Sequence, residues 1–145
     1  MKKKLFHQLI LMVLFFSVTI IYGQKISIKK RILIIDDKEV FKTESSGQFG
    51  ALGYVFYDLK KETPVLKIIA NNGGTHMYLD DDFLQTTFLA TGQKFEIKGR
   101  VYKDVLLLLL KNKVLTSDGV IDDSKIELFI KNYDEKITDR TLILR

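Results

Sequence analysis

The side chains best suited to chemistry in this 145-residue chain are acids, and their densest group is Asp80-Asp81-Asp82. Carboxylates are hard oxygen donors, so such a group points first to calcium, which takes roughly six to eight oxygen ligands. Three consecutive aspartates cannot all point inward, so Asn71, Asn72 or backbone carbonyls would have to complete the shell. The stretch from Ser117-Asp118-Gly119 to Asp122-Asp123 lacks the alternating acids and terminal glutamate of an EF-hand. Both stretches read more simply as turn and helix-cap chemistry. No metal and no cofactor are expected, and Asp80, Asp81 and Asp82 are the weak metal candidates.

Nucleophilic and acid–base chemistry finds little support. The chain has no cysteine, which excludes thiol catalysis, thiolate metal sites and disulfides. His76 is the sole histidine beyond the first 23 residues, so a site built on two imidazoles is excluded there. No G-x-S-x-G elbow accompanies it. Two carboxylates could meet as in a glycosidase, but nothing singles out a pair. No catalytic residue is assigned.

Two further patterns bear on binding. Gly47, Gly50 and Gly53 are spaced by three in SSGQFGALGYVF, but they precede a strand. A phosphate loop runs from strand into helix and carries Lys-Ser/Thr, so these glycines read as a mobile connection and a bent strand start. Tyr54, Phe56, Tyr57, Tyr78, Phe83 and Phe88 make the middle of the chain aromatic-rich. If the strands close, Tyr54, Phe56, Tyr78 and Phe88 are the candidate lining of a pocket for an apolar ligand. Otherwise they fill a core.

The elements that must position these groups begin after an amino-terminal leader. Lys2, Lys3 and Lys4 precede Leu9 to Tyr22, a 14-residue run without charge, and Gly23 follows. Cationic, apolar and small-residue zones in that order specify a secretory signal peptide. The run is shorter than the roughly 20 residues of a spanning helix. Cleavage is expected after Gly23, placing residues 24–145 in the periplasm or outside the cell; a retained leader would instead be a membrane anchor. Losing three lysines and no acid lowers the formal charge from +5 to +2. That balance gives no basis for nucleic-acid binding.

Residues 24–145 form one domain, mainly β over 24–98 and mainly α over 99–137. Ile26, Ile28, Ile32 and Ile34 fall on even positions against polar Lys25, Ser27, Lys29 and Arg31, predicting one strand from Lys25 to about Ile35 whose end, with Leu33 and Ile35 apolar too, is covered on both sides. Asp36-Asp37 is a tight turn before a short strand, Glu39 to Glu44. Strands then run Leu52 to Leu59, Val65 to Ala70 after Pro64, Thr75 to Leu79, Phe83 to Ala90 and Lys94 to Lys98. Asn71-Asn72-Gly73-Gly74 is the strongest hairpin turn. Helical spacing of Val101, Val105, Leu106, Leu109 and Leu110 predicts a helix from about Arg100 to Lys113, well covered because it is apolar over most of its surface. Ser124 and Glu127 have capping-box spacing before the stripe Ile126, Phe129, Ile130, Tyr133. Residues 138–145 are expected as a final edge strand.

The fold class is thus α+β: an antiparallel meander of five to seven strands, barrel-like or sandwich, followed by a helical hairpin. The function expected is that of an exported, non-enzymatic binding module of the cell envelope or extracellular space. Its expected partner is a protein or cell-surface component, reached through an exposed patch or an unpaired strand edge. The alternatives are a carrier of a small apolar ligand in a barrel-like pocket and an exported hydrolase.

Overall fold

The computed structural model describes residues 23–48, 51–71, 82–99 and 101–142. The chain is α+β. Seven strands run as β1 (Ile26–Lys29), β2 (Ile32–Ile35), β3 (Lys38–Gln48), β4 (Ala51–Asp58), β5 (Pro64–Asn71), β6 (Phe83–Phe88) and β7 (Lys94–Ile97). They pair antiparallel in strict chain order within one sheet. No ladder joins β1 to β7 among the described residues. Three helices follow: α1 (Tyr102–Lys111), α2 (Asp123–Tyr133) and α3 (Ile137–Leu142).

The first stretch differs from the single strand that its alternation predicts. Lys30 and Arg31 take positive φ, 50° and 64°, and turn the chain back on itself as a two-residue hairpin. Ile26 then faces Ile35, and Ile28 faces Leu33. The pairing links even positions to odd ones, so the buried set switches at the turn: Leu33 and Ile35 enter the core, while Ile32 and Ile34 stay half-buried. The alternation across the two strands was coincidental. Asp36 and Asp37 form the expected turn, with φ of 49° and 66°.

β3 is longer than predicted. Ser45, Ser46 and Gly47 join the ladder because β4 offers them Tyr54, Gly53 and Leu52 as partners. Cross-strand pairing therefore overrides the weak strand propensity of a Ser/Gly run. Gly53 is required at its position, since a Cβ there would run into the carbonyl oxygen of Ile68 on β5. Pro64 opens β5 as expected. The turn predicted at 71–74 continues β5 at Asn71; its remainder and the strand expected at 75–79 lie outside the described residues.

One face of the sheet carries the core. Successive cross-strand rows run Thr43–Phe56–Leu66–Phe88, then Tyr54–Ile68–Thr86–Phe95, then Ala70–Leu84–Ile97. Helix α1 lies over β5 and β6, and α2 and α3 lie against β7. Val105, Leu106, Leu109 and Leu110 of α1 and Ile126 and Phe129 of α2 meet the sheet residues in one buried cluster. Phe95 meets Phe129 edge-on at 5.0 Å. The α1 run is not covered all round: Leu107 is 41% exposed on the side away from the sheet.

Two expectations at the carboxy-terminal end are corrected. The cap of α2 is Asp122, whose carboxylate accepts from the Ser124 backbone N–H at 3.2 Å. Ser124 lies inside the first turn and donates its hydroxyl to the same carboxylate. Of the segment expected as an edge strand, residues 138–142 belong to helix α3, because the edge of β7 is already occupied, and 143–145 lie outside the described residues.

A step in the sheet as candidate binding site

The occupied edge comes first. Asp134 Oδ1 accepts from the Glu96 N–H at 2.9 Å, and the Glu135 N–H donates to the Glu96 carbonyl at 2.8 Å. Glu135 Oε1 accepts from the Lys98 N–H at 3.2 Å. The Glu96 side chain points to the sheet's other face and lies under the start of α3. There it accepts from the Thr138 N–H at 2.7 Å, the Thr138 hydroxyl at 2.6 Å and the Gln85 amide at 3.2 Å. Burial pushes this carboxyl up, but hydrogen bonds from Thr138, Gln85 and the Ile137 N–H outweigh it and hold the group below its ordinary value. The β7 edge is closed.

The opposite side of the sheet is not treated alike. β2 covers β3 only over Lys38 to Lys42. The Thr43 N–H donates to the Arg31 carbonyl at 2.7 Å, which ends that ladder. On its other side β3 stays paired with β4 as far as Gln48. Backbone groups of a strand point alternately to its two neighbours. Thr43 faces the β2 side, so Ser45 turns its N–H and C=O groups the same way, before Gly47 leaves regular strand geometry at φ 97°. Ser45 meets no strand there among the described residues. The sheet thus has a step, five residues long (Glu44 to Gln48), where the β1–β2 hairpin stops and β3 continues.

A groove of about 350 Å³ lies at this step, lined by Ile28, Arg31, Thr43, Glu44, Ser45 and Tyr54. Ile28 and Tyr54 supply apolar surface. Thr43 is buried, and Ser45 and Tyr54 bring hydroxyls. The Tyr54 ring is held by Tyr102 of α1, edge-on at 5.0 Å. Burial, with Tyr54 adding, raises the Tyr102 phenol, which keeps its proton at neutral pH. Glu44 accepts from the Tyr57 hydroxyl at 3.0 Å, and that bond raises the Tyr57 phenol. The hairpin tip above the groove is cationic: Lys29, Lys30 and Arg31 are consecutive and make no ion pair among the described residues.

The residues singled out from the sequence are scattered. Asp80, Asp81, Tyr78 and His76 lie outside the described residues, and Asp82 is buried just before β6. Among the described residues no three histidines or acids stand close enough to share a metal ion. Tyr54 lines the groove at the step, whereas Phe56 is fully buried between Phe41 and Tyr102. Phe88 borders a separate groove of about 370 Å³ with Val65, Val120 and Ile121. Sequence assigns no binding role to Ile28, Arg31, Ser45 or Gly47. For Arg31 the signal lies in Lys29-Lys30-Arg31, which reads as the solvated face of a strand rather than a binding patch until the turn is recognised.

No protein-family model matches the chain, and neither curated proteins nor solved structures show significant similarity to it.

Proposed function

We propose that this is an exported, non-enzymatic binding module of the cell envelope or extracellular space, which takes a polypeptide partner as an added strand along β3. One observation carries the reading: β3 presents the backbone groups of Ser45 at a step that no strand covers among the described residues, while β7 at the far end is sealed by Asp134 and Glu135. A strand edge with free donors and acceptors is a template for another strand, and proteins that do not use an edge usually cover it. The groove beside the step offers side-chain pockets for such a strand. Export is supported by the lysine-headed apolar leader.

A photoreactive residue placed at Ser45 in living cells tests both parts. The expected result is a crosslink to a polypeptide in the envelope or medium fraction, absent when the residue is placed at exposed Glu127 on α2. Amino-terminal sequencing of the recovered protein should begin at Gln24. Equal labelling from both positions removes the strand-capture reading, and recovery of Met1 in the cytosol removes export.

A further inference from the structure

Resting on that reading, we infer that the strand captured at the step is acidic: an extended segment of another protein that sets apolar side chains into the groove and carboxylates against the hairpin tip. The length fits a short segment. Five residues at about 3.4 Å each give a landing edge of roughly 17 Å. A strand laid there would send alternate side chains to the two faces of the sheet. Those on the core face meet Ile28 and Tyr54, with Arg31 at the groove's wall.

Charge decides the partner's chemistry. Lys29, Lys30 and Arg31 stand together at the end of the step, and no acid occurs between Lys25 and Ile35. Lys25 already faces Asp37, at 3.8 Å. Of the groove's residues only Glu44 is an acid; it accepts from the neutral Tyr57 phenol, which brings no positive charge, so one acid stands against three cations. Three cations that make no ion pair among the described residues, set against the one groove acid Glu44, leave the edge net positive, which attracts a segment rich in glutamate or aspartate and repels a basic one. A second copy of this chain is disfavoured for the same reason. It would bring another Lys29-Lys30-Arg31 tip to the step, with only Glu44 to oppose it. Lysines at an edge commonly discourage self-pairing.

The test uses the intact protein and short peptides alternating valine with glutamate, valine with lysine, or valine with serine. Binding is read by titration at two salt concentrations and by hydrogen exchange at the Ser45 amide. The glutamate peptide should bind tightest, protect that amide, and weaken as salt rises. Lys29→Glu with Arg31→Asp should weaken it by roughly tenfold or more. Aspartate is chosen at position 31 because it tolerates the positive φ there. Equal protection by the serine or lysine peptide overturns the acidic partner but leaves strand capture standing. Failure of every peptide to protect Ser45 overturns strand capture itself. A concentration-dependent dimer whose formation protects that amide makes a second copy the occupant and overturns the inference.

Discussion

A carboxylate moved beneath a short helix loses hydration that only hydrogen bonds can replace. Glu96 regains it from Thr138 and Gln85. Because the folded protein holds this carboxyl below its ordinary 4.5, the stability it contributes is fully present above that pH. It fades as pH falls through the lower folded value. Glu96→Gln should therefore lose about 1.5–3 kcal/mol at neutral pH, the range for hydrogen bonds to a charged group. The same variant should show less additional loss on acidification, and urea titrations at pH 7 and pH 3 measure both. A Glu96→Gln protein as stable as the parent at neutral pH would mean that the carboxylate's charge contributes nothing beyond what an amide oxygen can accept. None of this is legible in KFEIK, where Glu96 reads as the outward residue between two inward ones. That reading is right about the face. It fails on burial, because the residue that covers Glu96 lies 42 positions later.

At the scale of elements, legibility follows from how local the cause is. The Asp36-Asp37 turn and the start of β5 at Pro64 are fixed by their own residues, and both stand where the sequence puts them. The Lys30-Arg31 turn was missed because neither residue is a usual bearer of positive φ. What holds it is the pairing of Ile26 with Ile35 and Ile28 with Leu33, a property of two strands together. The cap of α2 shows a finer ambiguity. Asp122, Asp123 and Ser124 are all competent caps, and spacing to Glu127 favours Ser124. The structure selects Asp122, whose carboxylate is held below its ordinary value first by the Ser124 hydroxyl and then by Lys125. Asp122→Ala should lower the melting temperature more than Ser124→Ala, since only the former leaves the Ser124 N–H without its acceptor. Equal melting temperatures, read by circular dichroism, would return the cap to Ser124.

Across the whole molecule, the seven-strand meander with the helices α1 and α2 packed on its core face is close to what periodicity foretells. The step is not, because it depends on the difference in length between β2 and β3. Composition gives no hint of that difference: the Ser-Ser-Gly run that extends β3 resembles a loop. The unequal treatment of the sheet's two sides is likewise a property of the assembled fold. It makes a prediction at this scale. Asp134→Ala combined with Glu135→Ala removes the side-chain acceptors for the Glu96 and Lys98 N–H groups and leaves β7 covered only by the Glu135 N–H bond and α3. The variant should self-associate in sedimentation at concentrations where the parent remains dispersed, as bare edges do. A variant that sediments as the parent does would show that the Glu135 backbone bond and α3 suffice to shield the strand.

The strict chain order of the strands has a consequence in time. Every hairpin can zip onto the one before it as the polypeptide lengthens, without waiting for a distant partner, and such nearest-neighbour wiring shortens the search for the folded state. The exception is the tail: Asp134, Glu135 and Thr138 must arrive from about forty residues downstream to cap β7. A nascent chain therefore carries a sticky rim until residues 134–138 emerge, and a product cut short before them would be adhesive although its sheet is otherwise finished.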